Sequence, residues 1–406
     1  MLIFKENIAK EEYDNYISKH KLSHILQSYN WAKIKNFWQG EHVGVYDENN
    51  NLVAASLILK RSVGKIFSFG YIPRGIVIDY SDKKLVKFYL ESLKKFAKKN
   101  NLIFIKFDPA LVYRTNKLKE FKDTKENSYA KEVISFLKEC GLVHHGFTKK
   151  MNETIQPRYD ATTYLQEDLF SLYSATCRKN IRKATKRFVE IKDGTEDDLA
   201  CFEEVLQKTM QRKNVNLRNS EYFKNLIKQY PNSYKLILAE IKPQKTKKLL
   251  LEEKEKLEKE IEKFQNSPKK LITLKDNLKS LERVIEETNT IIKQYQKDTI
   301  TIAGGFGIGY GEVFEFMYAG FDESFNAYCP QYLLYHTINK WAYDNGYKKV
   351  CMGGVDGDLK DGLLSFKNHF SPNIEEYIGE FDLVTNKTAY KLFNLALNIR
   401  KKLRNR

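Results

Sequence analysis

Between Lys245 and Lys297 the apolar positions fall at alternating spacings of three and four. Leu271, Leu274, Leu278, Leu281, Ile285, Thr288, Ile292 and Tyr295 make one a/d seam with a single polar interruption. Leu250, Leu257, Ile261 and Phe264 make a second in compatible register, broken by Lys254. A repeat of this period is that of helices packed along their length. Asn266-Ser267-Pro268 separates the two runs, because proline cannot continue the first helix and presets the start of a second. The pattern predicts a hairpin arm about 35–40 Å long at 1.5 Å per residue. Such an arm serves either dimerisation or contact with a large ligand.

Outside the arm the period changes to two. Glu41–Tyr46 and Leu52–Arg61 alternate like strands around Asp47-Glu48-Asn49-Asn50-Asn51. A strand near Ile66–Ile78, an amphipathic helix over Lys83–Lys99 and a strand over Leu102–Phe107 follow. The same order returns later: Tyr234–Ile241 is expected to pair with Thr299–Phe306 across the arm. Val313–Phe321, a helix from Pro330 to Asn345 and a strand over Lys348–Met352 come next. Each half reads helices, antiparallel strands, helix, strand, the order of acetyltransferase-like domains. The expectation is therefore an α/β (α+β) fold with two acetyltransferase-like subdomains and an inserted antiparallel coiled-coil arm. Residues 1–150 form the first subdomain, 151–242 and 299–385 the second, 243–298 the arm, and 386–406 a C-terminal basic helix.

Composition narrows the partners. Lys and Arg number 69 against 52 Asp and Glu, a net charge of +17 on 406 residues. That surplus predicts a polyanion, either nucleic acid or an anionic membrane surface. The arm, with 14 basic and 10 acidic residues from Lys245 to Lys297, carries only a small part of it. The longest nearly unbroken apolar run, Leu52–Leu59, is far short of the ~20 residues that span a bilayer. The start of the chain has no basic-then-apolar leader pattern, so a cytoplasmic location is expected. Five cysteines without a C-x-x-C pair argue against a disulfide framework or a zinc ribbon. The scattered histidines suggest no metal site.

Two clusters invite a chemical reading. Gly304-Gly305-Phe306-Gly307-Ile308-Gly309-Tyr310-Gly311 lacks the following helix that a phosphate-binding loop needs, so a tight or bulged hairpin is expected. Neither helix that would carry an acyl-CoA pyrophosphate starts on a small flexible loop, which disfavours CoA; no cofactor is expected. Arg178, Arg182 and Lys186 would form one basic stripe on a helix, with Lys179, Lys183 and Arg187 beside it. Stacked like charges call for a polyanion. The tail Arg400-Lys401-Lys402-Leu403-Arg404-Asn405-Arg406 is similarly basic.

Four stretches resemble the FemABX family of aminoacyl-tRNA-dependent peptidyltransferases. They are Leu26-Gln27-Ser28-Tyr29-Asn30-Trp31 with Lys35 and Trp38, Tyr71-Ile72-Pro73-Arg74-Gly75, Phe107-Asp108-Pro109, and Gly353-Gly354-Val355-Asp356. The last continues through Phe366-Lys367 and Phe370-Ser371-Pro372 to Tyr377-Ile378-Gly379-Glu380-Phe381. The N-terminal stretch and Leu217-Arg218-Asn219 look most like the serine- or alanine-adding members. Ile76 and Ser371 depart from common family residues.

The resemblance implies transfer of an amino acid from aminoacyl-tRNA to the side-chain amine of the stem-peptide lysine of lipid II, building peptidoglycan cross-bridges at the inner membrane face. The partners would be aminoacyl-tRNA, lipid II and the anionic membrane surface. It places Lys35 and Arg218 at the lipid-linked phosphates, with Trp31 and Trp38 on one helix face with Lys35 and Tyr222 one turn beyond Arg218. It places Asp108 where a carboxylate accepts the amine's proton, and Lys367 where a cation stabilises the oxyanion or the departing ribose oxygen. Alternatives on the same residues are an acyl-CoA N-acyltransferase and a non-catalytic RNA-binding protein.

Overall fold

A computed structural model describes residues 1–35, 37–63, 67–213 and 217–404. Among the described residues sixteen strands are built from the alternating segments. They are β1 (Ile3–Glu6), β2 (Gln39–Tyr46), β3 (Leu52–Val63), β4 (Phe67–Ile72), β5 (Val77–Ile78), β6 (Leu102–Phe107), β7 (Val112–Lys117) and β8 (Val143–His144). The rest are β9 (Tyr159–Tyr164), β10 (Glu190–Gly194), β11 (Tyr234–Ile241), β12 (Ile300–Tyr310), β13 (Val313–Phe321), β14 (Lys349–Gly354), β15 (Asn373–Tyr377) and β16 (Phe381–Val384). They form two sheets, β1-β2-β3-β4-β6-β16-β8 with β5 on β3, and β10-β11-β12-β13-β14-β9-β15-β7. Each has one parallel pair, β4–β6 and β13–β14. A crossover helix joins each pair, Lys83–Lys99 in one and Pro330–Asp344 in the other. This is the expected α/β arrangement of two acetyltransferase-like subdomains.

The sheets do not respect a chain boundary at residue 150. β7 crosses to pair with β15 in the second sheet, and β16 returns to pair with β6 in the first. Charge secures both exchanges. Arg114 on β7 bonds Glu376 on β15, and Lys106 on β6 lies 3.0 Å from Asp382 on β16 and from Glu380. An apolar core shared by both halves adds to this, with Tyr13, Trp31 and Leu57 against Phe202, Phe223, Leu238 and Phe306. The expected strand at Ile66–Ile78 is broken at Pro73-Arg74-Gly75, where Arg74 takes φ +53°; Ile66 lies outside the described residues.

The glycine cluster is strand. Gly309 sits so close to Tyr347 that a Cβ would lie 1.8 Å from its Oη, and the chain turns at Gly311 with φ +57°. The arm's helices span Pro243–Lys263 and Pro268–Tyr295, the second about 40 Å long. Leu250, Leu274 and Thr288 are buried in the hairpin, and Lys254, out of place in the apolar repeat, pairs with Glu282 at 2.8 Å. Arg187–Glu287 at 2.9 Å and Tyr295 against Phe325 fasten its base to the body.

The arm springs from Ile241 and Ile300, which are register partners in β11 and β12. Replacing residues 243–298 with a four-residue turn should therefore leave a body that unfolds cooperatively, within about 5 °C of the intact Tm. Calorimetry checks this; loss of the transition would mean that the arm is part of the body's core.

Candidate active site

The turn after β4 drives an arginine into the seam between the two sheets. Gln27 holds this turn, donating from Nε2 to the Pro73 carbonyl at 2.7 Å while its Oε1 accepts from Leu57 N–H at 2.9 Å. Arg74 is 3% exposed. Its Nη2 donates to Asp160 Oδ2 on β9 at 2.9 Å and to the Pro157 carbonyl at 2.8 Å. Its guanidinium lies 4.2 Å over the Tyr377 ring, and Nη1 is 3.8 Å from Asp108 Oδ2. Asp108, just past β6, accepts at Oδ1 from the Tyr71 hydroxyl at 2.9 Å and the Arg74 backbone N–H at 3.0 Å. Its Oδ2 accepts no hydrogen bond among the described residues. One cation is thus shared by a carboxylate of each sheet.

Burial dominates the electrostatics. It pushes the Asp108 carboxyl up to about 7 against the pull of Arg74, and raises Asp160 in the same way. Glu315 on β13 is also pushed up to about 7 by burial, with the charge of Asp160 adding to it. Its Oε1 lies 3.4 Å from Nε2 of His24, whose own burial holds the imidazole well below its usual range. His24 and Glu315 border a cavity of about 300 Å³ between the subdomains, lined by His24 and Tyr129 from one side and Thr162, Glu315, Cys351 and Tyr377 from the other. Glu375 in its wall accepts from Tyr164 at 2.7 Å and Thr162 at 3.0 Å, with Lys349 at 3.3 Å.

Lys367 is buried beside this cluster. Its Nζ donates to the carbonyls of Gly353 and Gly354 at 2.9 Å each, and burial lowers it to about 8. Two of its three N–H groups are therefore committed to the end of β14.

The phosphate candidates assemble across the seam. The Ser220–Gln229 helix packs on the segment around Trp31, with Asn30 Nδ2 donating to the Gln229 carbonyl at 2.8 Å and Asn225 Nδ2 to that of Lys33 at 3.2 Å. This brings Arg218 beside Lys35, whose pKa is lowered by burial and then by that second cation. Lys35 lies 5.2 Å over the Trp31 ring and Arg218 5.0 Å over Tyr222. The expected shared helix face is corrected. The helix is only Trp31–Ile34, and Trp38 lies beyond it, against Phe69 and Tyr71. The chain turns into β2 there, bringing Gly40 so close to Ala32 that a Cβ on it would fall 2.5 Å from that of Ala32.

Of the six basic-helix residues, two are spoken for. Arg178 donates to the Ser171 and Tyr173 carbonyls at 2.9 and 2.5 Å, and Arg187 pairs with Glu287. Lys179, Arg182, Lys183 and Lys186 line a cleft of about 710 Å³ between this helix, Ala175–Lys186, and the arm. In the C-terminal tail, Asn405 and Arg406 lie outside the described residues.

Arg74, Asp160, Glu315 and Glu375 were not singled out from sequence. Glu315, a lone carboxylate between Phe314 and Phe316 on an apolar strand, and Asp160 in Tyr-Asp-Ala-Thr-Thr-Tyr were the available signals.

A family model described as the FemAB family matches residues 8–398. Two proteins named aminoacyltransferase FemA, from Staphylococcus aureus strains bovine RF122 / ET3-1 and NCTC 8325 / PS 47, are each 26% identical over 419 residues, covering 98% of this chain and 99% of their own. A crystal structure of FemX shares the fold with a TM-score of 0.79 at 24% identity, covering 96% of this chain and 99% of that one.

A carboxyl whose folded pKa lies above its unfolded value takes up a proton on folding. The stability it adds is present at low pH and is lost as pH rises through about 7. The Tm should therefore fall as pH rises from about 4 to about 7 and level off above that, and Asp108→Asn should lessen the fall. A carbon-13 titration placing Asp108 below pH 5 would contradict the assignment.

Proposed function

The chain belongs to the FemAB family, and we propose that this aminoacyltransferase moves serine or alanine from aminoacyl-tRNA to the side-chain amine of the stem-peptide lysine of lipid II, in building peptidoglycan cross-bridges. The observation that carries this reading is the pair Lys35 and Arg218. Two cations from different subdomains are held together, close enough for Arg218 to lower the pKa of Lys35, with no carboxylate among the charges acting on that lysine. A diphosphate supplies the missing charge, and the Arg fork can make two charge-assisted hydrogen bonds to it. Trp38 and Tyr71 connect this pair to Asp108.

The reaction is aminolysis of an ester. The lysine ammonium first gives up one proton; the amine then forms a C–N bond to the aminoacyl carbonyl carbon, the C–O bond to the ribose breaks, and a second proton passes from the nitrogen to the ribose oxygen. An ordinary Asp is too weak a base for an ammonium near pKa 10, but one raised to about 7 narrows the gap. Asp108 Oδ2 is the atom for that first proton. Lys367 contributes its positive charge and one N–H behind the Gly353–Gly354 pair, toward the oxyanion or the departing ribose oxygen. Because the ester is already activated, holding two large substrates together supplies much of the acceleration. Lys179, Arg182, Lys183 and Lys186, facing the arm, suit the tRNA backbone; Arg178 and Arg187 serve as struts.

Purified protein should transfer label from seryl- or alanyl-tRNA to lysine-type lipid II, and failure on every charged tRNA would sink the reading. Lys35→Ala and Arg218→Ala should each raise the KM for lipid II at least about tenfold more than that for tRNA. Equal effects on both would refute the phosphate role. Lys179→Glu with Lys186→Glu should do the reverse. For the wild type, kcat/KM should rise with pH to a plateau above about 7, and Asp108→Asn should lose that limb with at least about a hundredfold fall in kcat. An unchanged profile in the variant would remove Asp108 from proton transfer.

A further inference from the structure

The C-terminal helix, Lys387–Arg404, is apolar on two sides. One side packs on the first sheet, with Ala389 and Phe393 buried against Ile103 and Phe104, and Tyr390 and Leu397 at the margin. The other carries Leu392, Leu395 and Ile399, which are 55%, 58% and 51% exposed. Their spacing of three and four places them in one stripe, and no described residue covers it. A soluble surface helix needs only one apolar stripe, the one facing its core.

Charge indicates what covers the second. Lys387 and Lys391 are exposed on the same helix, and the sequence continues Arg400-Lys401-Lys402 and Arg404. Beside it runs a groove of about 770 Å³ where Lys87, Lys94, Lys387 and Lys391 outnumber Glu91 and Glu139. An apolar stripe flanked by lysines is the signature of a helix lying in the plane of an anionic bilayer. No helix among the described residues is long and apolar enough to cross a membrane.

Position supplies an independent observation. Phe69 joins this helix to the phosphate pair's neighbourhood, its ring 5.7 Å from Phe393 on one side and 5.5 Å from Trp38 on the other. Next to Trp38 in the chain, Phe37 is 88% exposed.

We propose that the Lys387–Arg404 helix docks the protein on an anionic lipid surface, with Leu392, Leu395 and Ile399 entering the headgroup–acyl boundary and the flanking lysines on lipid phosphates. Docked so, the helix holds Lys35 and Trp38 near the membrane plane, where the diphosphate of a lipid-linked acceptor lies. That last step rests on the acceptor reading above; the docking itself rests on the helix.

The full-length protein is floated with phosphatidylglycerol vesicles and with phosphatidylcholine vesicles. Binding to the former should exceed binding to the latter and weaken with salt, and Leu392→Glu with Leu395→Glu and Ile399→Glu should reduce it at least about tenfold. Leu395→Trp, a milder change, should show a blue-shifted emission on phosphatidylglycerol vesicles. Transfer to a water-soluble lysine-type acceptor should be unaffected by the triple change. Unchanged flotation of the triple variant would overturn the proposal. So would a triple variant that instead changes self-association or tRNA affinity, which would assign the stripe to a second copy or to RNA. Vesicle binding by this stripe without transfer to any acceptor would support the docking and count against the acceptor reading alone.

Discussion

Arg74 is the constraint on which the rest depends. A guanidinium almost wholly removed from water is tolerable only with carboxylates and carbonyls around it, and here they come from both sheets: Asp108 from the first, Asp160 and Pro157 from the second. Breaking such an arrangement leaves an uncompensated buried charge, so the two subdomains are held to one relative placement. The strand exchanges and the shared apolar core act in the same direction. The family likeness over nearly the whole chain fits a molecule that works as one body.

The same burial sets the chemistry. Loss of water raises the carboxyls of Asp108 and Glu315 to about 7 even though Arg74 pulls both the other way. In the proposed reaction a carboxylate in that range serves as the base at physiological pH. On one side of Asp108 stand Tyr71, Trp38 and the Lys35–Arg218 pair; on the other, Arg74 leads to the cavity that Glu315 and Glu375 border. The acceptor's phosphates and its amine would thus be read by opposite kinds of charge, cations at the rim and carboxylates in the seam.

Much of the fold was legible because it is periodic. The arm's seam residues are those facing inward in the hairpin, and Lys83–Lys99 and Leu102–Phe107 form as the pattern predicts. The exchange of β7 and β16 was not legible, since an alternating strand carries no mark of which sheet it joins. The face shared by Trp31, Lys35 and Trp38 failed because the helix ends at Ile34, a stop that no breaker residue marks in the sequence. Arg178 and Arg187 looked like ligand contacts because their partners, backbone carbonyls and Glu287 on the arm, appear only after folding. Arg74 stands inside the family-like stretch Tyr71-Ile72-Pro73-Arg74-Gly75, yet its importance needs Asp160 from the other half of the chain.

The most direct test of the central claim is a double-mutant cycle between Arg74→Gln and Asp160→Asn, read by urea unfolding with a parallel assay of transfer. If one buried cation couples the sheets into a single site, each single change should cost about 3 kcal/mol or more, and the pair should cost markedly less than the sum. Unfolding should remain one transition throughout. Additive costs, or a single change that splits unfolding into two independent steps with transfer intact, would contradict it.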